Sequence, residues 1–205
     1  MVQLTLASVM KRNFRNESVA NAAFRAFRGM GGRLRGRVFS ALGMFHAESS
    51  SQLYFGQSPR FINSKSIRFG KKCAFGALAR FECHEDHTSQ SPVITFGEQT
   101  SFGDYLHIGA TQGISIGNNV LGGSSILIVD HSHGSPAADV LGKNKTPPRY
   151  RPLISKGKII IEDHVWIGDG VRIFAGTRIG EVSIIAAGGR VSGDVEPYSI
   201  CFGKI

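Results

Sequence analysis

The 205-residue sequence predicts an all-β solenoid, in which short strands form a coil that turns a corner at regular intervals. Glycine is abundant, with 26 residues, which favours many tight turns. In the C-terminal part an aliphatic residue recurs at every sixth position, and this period fits neither a helix nor a hairpin sheet. These inward positions are Ile161, Ile167, Ile173, Ile179, Ile185 and Val191.

The same period of six appears earlier in the chain, often with glycine directly after the apolar residue. A single turn of such a coil cannot bury its own apolar face, so neighbouring turns must stack into one cooperative unit. We therefore expect one solenoid domain over residues 61–205. Its earlier inward positions are Phe69, Phe75, Phe81, Phe96, Phe102, Ile108, Ile116, Gly122 and Ile128.

Two polar stretches interrupt the period, a short one over 81–93 and a long, proline-rich one over 130–157. A long loop within a compact fold is usually functional or disordered. Because the period resumes in phase after residue 157, we predict that the excursion loop 130–157 is functional.

Residues 1–60 differ from the rest of the chain, since they hold nine cationic and two acidic residues, which is +7 of the formal +9. Apolar residues recur there at steps of three or four, while several glycines weaken the pattern, so we expect two short amphipathic helices. This segment either contacts an anionic membrane surface peripherally or caps the open end of the solenoid.

Composition narrows the classes of protein that the sequence fits. The three cysteines are scattered and odd in number, so we expect reduced thiols in a cytoplasmic protein. No apolar run approaches the roughly 18 residues of a membrane span, and the N-terminus lacks the order of a secretory signal. Aromatic platforms and motifs for nucleic-acid binding are also missing, so no nucleic-acid partner is expected.

Four strings carry a specific resemblance: DHSHG at 130–134, RPLISKG at 151–157, VWIG at 165–168 and IIAAGGRVSGDVEPYSI at 184–200. Together they resemble hexapeptide-repeat acetyltransferases, particularly the polysaccharide, O-antigen and sialic acid O-acetyltransferases. The resemblance covers about residues 67–200. It implies a left-handed parallel β-helix, acetyl-CoA as acyl donor, a saccharide hydroxyl as acceptor and a homotrimer with sites between subunits.

The resemblance assigns the general base to His131, and an imidazole with a pKa near 6.5 suits that role. Asp130 either orients this imidazole or faces away from it. His133 would share a face with His131 in an extended segment, where it binds substrate or makes a structural hydrogen bond. Trp166 should point outward, either as a wall beside the thioester and acceptor or as a subunit contact.

By the same resemblance, small residues in the last coils let the pantetheine arm approach the backbone, and nearby cations meet the CoA 3′-phosphate. No metal is expected. The cofactor-binding residues predicted in this way are Trp166, Gly168, Asp169, Ala187, Gly188, Ser192, Arg190 and Lys204, and the substrate-binding residues are His133, Arg151 and Lys156.

Three alternatives stay open at this stage. The first is N-acetylation of an amino sugar, and the second is a non-catalytic trimeric scaffold. The third is a metal-dependent β-helix of the γ-carbonic anhydrase type, whose imidazole ligands would come from His84, His87, His131, His133 and His164.

Overall fold

A computed structural model describes residues 31–48, 52–84, 94–135, 142 and 145–203 of the chain. Three parallel sheets form the faces of a solenoid, which confirms the predicted all-β solenoid fold. The described residues also include one helical stretch over 31–41 and two 3-10 turns, Ser64–Ser66 and Pro148–Tyr150.

The strands are two to four residues long, as a period of six with a corner in each repeat requires. In chain order they are β1 (His46–Ala47), β2 (Tyr54–Phe55), β3 (Arg60–Ile62), β4 (Ile67–Phe69), β5 (Ala74–Phe75), β6 (Arg80–Cys83), β7 (Ile94–Phe96), β8 (Ser101–Phe102), β9 (His107–Ala110), β10 (Ile114–Ile116), β11 (Leu121–Gly122), β12 (Leu127–Val129), β13 (Ser132–His133), β14 (Leu153–Ile154), β15 (Ile159–Ile161), β16 (Trp166–Ile167), β17 (Arg172–Phe174), β18 (Arg178–Ile179), β19 (Ile184–Ile185), β20 (Arg190–Val191) and β21 (Ile200–Cys201).

Each face stacks equivalent strands of successive coils. Face A is β1-β4-β7-β10-β15-β18, face B is β2-β5-β8-β11-β16-β19-β21, and face C is β3-β6-β9-β12-β17-β20. Every named strand pair within these faces is parallel and in register. The chain visits the faces in the order A, B, C and then returns to A one coil further along.

The predicted inward positions form the core, and all of them are buried. Phenylalanine fills the first coils, where neighbouring rings lie 4.9–6.3 Å apart, and isoleucine fills the later ones. The inward position 122 is a glycine because the ring of Phe102 fills the space that a side chain there would need. A Cβ at Gly122 would lie 2.1 Å from Phe102 Cδ1.

The described part of the basic N-terminal segment contacts the first coil. Arg35 Nε donates a hydrogen bond to the carbonyl of Phe55 (2.9 Å), and Phe39 packs against the rings of Phe55 and Phe61. Strands β1 and β2 already pair with faces A and B before residue 61. The division of the chain at residue 60 stays a prediction, and the helical pattern predicted before residue 31 lies outside the described residues.

The excursion loop leaves and rejoins the solenoid through a small antiparallel pair, β13 with β14. The Gly134 amide also donates to the carbonyl of Pro152 (3.0 Å), which closes the base of the loop. In the ranges that the structure describes, no helix has the length and apolar character needed to cross a bilayer.

Candidate active site

A cavity of about 300 Å³ opens at the edge of face C where the strands run into the corner toward face A. Three of the predicted site residues, His131, Lys156 and Ser192, meet there although they lie far apart in sequence. Strands β12 and β17, the excursion loop and the segment after β20 supply the lining, which consists of Val129, His131, Ser132, Ser135, Ile154, Ser155, Lys156, Phe174, Ala175 and Ser192.

Asp130 and His131 form a hydrogen-bonded pair at the end of β12. His131 Nδ1 lies 3.2 Å from Asp130 Oδ1, and the Asp130 side chain is fully buried while 12% of the His131 side chain is exposed. Because a carboxylate only accepts hydrogen bonds, the neutral form of this ring carries its proton on Nδ1 and keeps a lone pair on Nε2. The pair therefore presents a nitrogen base, which is the arrangement that a general base needs.

The same carboxylate also organises the turn between β9 and β10. Asp130 Oδ1 accepts from the Thr111 amide (2.7 Å) and hydroxyl (3.0 Å), and Oδ2 accepts from the amides of Gln112 and Gly113 (both 2.8 Å). Burial alone would raise the pKa of Asp130, but the hydrogen bonds from His131 and from this turn outweigh it and lower the pKa. Asp130 is thus ionised at neutral pH and held rigidly.

Gly109, on β9, makes room for the catalytic candidate. Its outward position belongs to the same row of face C as Val129. A Cβ at Gly109 would lie 3.2 Å from His131 Cε1, which is closer than ordinary van der Waals contact. The imidazole therefore lies over bare backbone, and a side chain at position 109 would displace it.

A second histidine lies against the ring of His131. The His84 ring meets it edge to face with centroids 4.9 Å apart, and His84 Nε2 lies 3.8 Å from Glu82 Oε2. Burial, with His131 nearby, lowers the pKa of His84, so this ring is neutral at neutral pH. His84 thus packs against the base without placing a positive charge beside it.

Glu82 extends this cluster along face C. Its buried carboxylate accepts from Arg80 Nε (2.5 Å) and pairs with His107 Nε2 (3.1 Å). Burial would raise the pKa of Glu82, but the hydrogen bonds from Arg80 and His107 outweigh it and lower the pKa. A polar row from Arg80 to His131 therefore runs across three successive coils.

The predicted CoA-binding residues divide between two corners. Gly168 and Asp169 stack directly on Ala187 and Gly188 where face B turns into face C, and the Gly188 amide donates to the Asp169 carbonyl (2.8 Å). The Asp169 carboxylate accepts from the Ser124 amide (2.5 Å), so this side chain has a structural role as well. Ser192 lies at the opposite edge of face C, in the cavity.

Arg190 lies on the outward side of face C, with its guanidinium carbon 5.6 Å from the centre of the Phe174 ring. Phe174 lines the cavity, so Arg190 borders the site of His131. Lys204 falls outside the described residues.

Within one chain, Trp166 and His131 lie on different faces. Trp166 belongs to β16 on face B, where 52% of it is exposed, and it is not part of the cavity lining. His133 is exposed on β13, and Arg151 donates from Nε to the Thr146 carbonyl (2.6 Å) within the excursion loop. His133 and Arg151, like Trp166, are therefore not part of the cavity lining.

The imidazoles proposed for a metal site do not converge as a set. His84 contacts His131, whereas His164 is exposed at the corner between faces A and B and His87 lies outside the described residues. Across the described ranges, no group of three or more His, Cys, Asp or Glu side chains is positioned to hold a metal ion.

Comparisons with known proteins identify relatives of the chain in sequence and in fold. No profile of a known protein family matches the chain. Over 142 residues, which is 69% of each protein, the chain is 30% identical to WbbJ of Escherichia coli, a protein named for O-acetyl transfer in lipopolysaccharide biosynthesis. The chain belongs to the hexapeptide-repeat O-acetyltransferases. It is thus an acetyl-CoA-dependent acyltransferase.

One shorter sequence match and one solved structure add to these comparisons. The acetyltransferase is 34% identical over 90 residues to a galactoside O-acetyltransferase of Lactococcus lactis, covering 44% of this chain and 39% of that protein. The crystal structure of a variant of AntD, an N-acyltransferase from Bacillus cereus in complex with dTDP and coenzyme A, matches with a TM-score of 0.61. That match has 18% identity and covers 79% of this chain and 80% of AntD. The fold is accordingly the left-handed parallel β-helix.

The sequence alone did not point to Gly109 or Glu82 as site residues of this acetyltransferase, and it did not predict that His84 contacts His131. One signal for them was available, since Glu82, Gly109 and Val129 occupy the same outward row when the hexapeptides are stacked coil on coil. Stacking the repeats in register would have placed Glu82 and Gly109 beside Val129, and hence close to His131.

Proposed function

We propose that this acetyltransferase moves an acetyl group from acetyl-CoA to a sugar hydroxyl of a cell-surface polysaccharide or its precursor. The observation that carries the proposal is the Asp130–His131 pair, whose base opens into a cavity large enough for the reacting ends of two substrates. WbbJ, which matches most of the chain, is named for lipopolysaccharide biosynthesis, and this supports a saccharide acceptor.

In the proposed reaction, His131 Nε2 accepts the proton of the acceptor hydroxyl while the oxygen attacks the thioester carbonyl carbon. Asp130 stabilises the imidazolium that forms. The C–S bond then breaks, and the imidazolium returns the proton to the CoA sulfur, so the products are the acetyl ester and free CoA thiol. Lys156 and Ser192 line the cavity, and we assign Lys156 to acceptor binding and Ser192 to the CoA arm.

The test is the release of free CoA thiol when the enzyme meets acetyl-CoA and a panel of cell-surface oligosaccharides. The enzyme's own thiols add little signal, because all three are buried and burial raises the pKa of Cys73 and Cys83 to about 11. We expect His131→Ala to lower kcat by about 10² to 10⁴ while CoA binding and folding are retained.

His164→Asn is the matched control, because it removes an imidazole at an exposed turn with φ +60°, which asparagine tolerates. This variant should keep wild-type activity. If His131→Ala keeps more than about a tenth of kcat, the general-base assignment is wrong. Stoichiometric zinc in the purified protein, with activity lost in both variants, would favour the metal-dependent alternative instead.

The alternative acceptor is the amine of an amino sugar, and the fold alone does not choose between the two. A paired assay offers the same pyranose with a hydroxyl or an amino group at one carbon, and mass spectrometry then distinguishes ester from amide. Ester formation supports the O-acetyltransferase proposal, and faster amide formation at matched concentration contradicts it.

We further propose that the working unit is a homotrimer whose sites combine faces of two subunits. Trp166 belongs to an outward apolar row on face B, which runs through successive strands as Leu121, Trp166, Ile184 and Ile200. Leu121, Trp166 and Ile200 are each more than half exposed in the single chain. Burial of this row against a neighbouring copy would supply the missing aromatic wall for His131.

Subunit mixing tests this arrangement. Inactive His131→Ala and Trp166→Ala proteins are unfolded together and reassembled. A site shared between neighbouring subunits should regain about a quarter of wild-type activity in random mixed trimers. No recovery in verified mixed trimers would show that each chain builds its own site, and light scattering that finds an active monomer would refute the assembly.

We also propose that the enzyme acts in the cytoplasm, peripherally at the membrane face where lipid-linked saccharide precursors are available. Support comes from the basic character of residues 1–60, which suits an anionic membrane surface. Fractionation of cells that express the full chain at native level tests the location.

A further inference from the structure

The helix over 31–41 lies unusually close to the first coil of the solenoid. A Cβ at Gly32 would lie 2.3 Å from Tyr54 Cε2, and one at Gly36 would lie 2.6 Å from the carbonyl oxygen of Leu53. Two glycines four residues apart therefore give the helix a smooth side that fits directly against β2. This contact fixes the direction in which the neighbouring helix residues point.

Arg33 and Arg37 each follow one of these glycines and so lie one turn apart on the same side of the helix. Together with Lys72 they line an open cavity of about 640 Å³ between the helix and face B, whose other lining residues are Gln52, Tyr54, Cys73 and Ala74. No carboxylate forms an ion pair with these three cations within the ranges that the structure describes. Among the described residues, the lining of this cavity therefore concentrates positive charge.

The side of the helix that faces away from the solenoid is apolar. Leu34, Val38 and Leu42 follow each other at steps of four, and their exposed fractions are 61%, 44% and 71%. Soluble surfaces seldom align exposed apolar side chains in this way. Arg37 lies three residues after Leu34, and residues at this spacing are neighbours on a helix surface, so one surface combines apolar side chains with cations.

We propose that this surface docks on an anionic bilayer, with the phosphate of a lipid headgroup held among Arg33, Arg37 and Lys72. A guanidinium group can donate two parallel hydrogen bonds to two oxygens of one phosphate, and the lysine ammonium adds a point charge. Leu34, Val38 and Leu42 enter the boundary between headgroups and acyl chains, as amphipathic interfacial helices do. Charge complementarity and the adjoining apolar row favour a lipid over a free anion.

Vesicle sedimentation of the full-length chain tests the proposal without acetyl-CoA, so its failure would leave the acetyl-transfer proposal untouched. The protein is mixed with phosphatidylcholine vesicles that contain or lack phosphatidylglycerol. We expect wild type to prefer the anionic vesicles, and R33Q/R37Q/K72Q to lose on the order of 100-fold in partition coefficient, since each surface cation contributes separately. Leu34→Ser with Leu42→Ser should also weaken partition.

The matched control is R68Q/R149Q/K158Q, which removes three exposed cations elsewhere and changes the net charge equally. This control should bind anionic vesicles nearly as wild type does. Equal losses in both triple variants would overturn the specific site, because only net charge would then matter. Wild-type binding by R33Q/R37Q/K72Q would also overturn it and would transfer the binding to the cations of residues 1–30.

A free phosphate ion is the competing occupant, and thermal unfolding with inorganic phosphate separates it from a lipid. If phosphate stabilises wild type but not R33Q/R37Q/K72Q while both vesicle types bind equally, the cavity is a site for soluble phosphate and the membrane proposal is wrong. If the Leu34/Leu42 variant binds anionic vesicles as strongly as wild type, insertion of the apolar row is refuted.

Discussion

Replacing Asp130 by asparagine should move the proton of the neutral His131 imidazole from Nδ1 to Nε2. An asparagine amide can take two orientations in the Asp130 site. With its oxygen in place of Oδ2, it keeps the hydrogen bonds from the Gln112 and Gly113 amides and turns its NH2 toward Thr111 and His131. The opposite orientation points the NH2 at two backbone N–H groups, and each unsatisfied buried donor costs about 1–3 kcal/mol.

The first orientation is therefore favoured, and its NH2 donates to His131 Nδ1. The ring proton then moves to Nε2, which can no longer accept a proton from the acceptor hydroxyl. The same loss of the correct tautomer in Ser-His-Asp hydrolases lowers kcat by about 10⁴, so we expect a fall of about 10³ to 10⁴ in Asp130→Asn. The unpaired Thr111 amide should lower the free energy of unfolding by about 1–3 kcal/mol.

Release of CoA thiol measures the first effect, and urea unfolding measures the second. Asp163→Asn is the matched control, because the Asp163 carboxylate likewise accepts from the Asn118 amide (2.7 Å) at a corner away from the cavity. This control should lose stability but keep kcat. Retention of more than about a tenth of kcat in Asp130→Asn would refute the tautomer argument.

Acid unfolding adds an independent check on Asp130. Its pKa is lowered in the folded chain, so its contribution to stability is complete above the unfolded-state pKa and disappears as the pH falls through the folded-state pKa. Wild type should consequently lose more stability than Asp130→Asn on acidification below about pH 4. Parallel loss in both proteins would contradict an ionised, hydrogen-bonded carboxylate.

Three other substitutions test features that the coil creates. Gly109→Ala should lower kcat about tenfold with little change in melting temperature, because its Cβ displaces the His131 ring by a few tenths of an ångström; unchanged kcat would show that the ring adapts freely. His84→Ala should lower kcat about three- to tenfold by removing the ring contact, and His84→Phe should restore it with KM unchanged; equal losses in both would point to a polar role instead. Gly122→Val should reduce stability by at least about 1–3 kcal/mol, and Phe102→Leu in the same chain should recover part of it; no recovery would show that the two residues do not compete for one space.

The period of six made the fold predictable, since the six aliphatic positions that it identified from Ile161 to Val191 are all buried. It could not reveal which neighbour fills an inward glycine, because Phe102 reaches Gly122 from the adjacent coil. From the sequence alone, glycine in the N-terminal segment predicts only a weakened helix. In the structure, Gly32 and Gly36 instead allow that helix to approach β2 closely.

The sequence predicted the site residues that are neighbours in the chain. It did not predict contacts between residues that come together only when the coils stack. Neighbouring residues Asp130 and His131 carry a recognisable string, although only the structure shows that Asp130 also holds the Thr111 turn. His84 meets His131 after two further coils of chain, and no local pattern announces such a contact. Within one chain, Trp166 and His131 cannot meet, because Trp166 points outward from face B while His131 lies at the far edge of face C.

The excursion loop can be replaced as a unit, because its two ends are held together by hydrogen bonds. Between Gly134 and Pro152, whose hydrogen bond closes the base, the chain can change length at small entropic cost. His131 stays anchored outside this segment by Asp130, while Ser135 inside it reaches the cavity. Loops grafted from related enzymes between these two points should therefore alter which saccharide fits. The Asp130–His131 pair would keep its geometry, because it lies outside the exchanged segment.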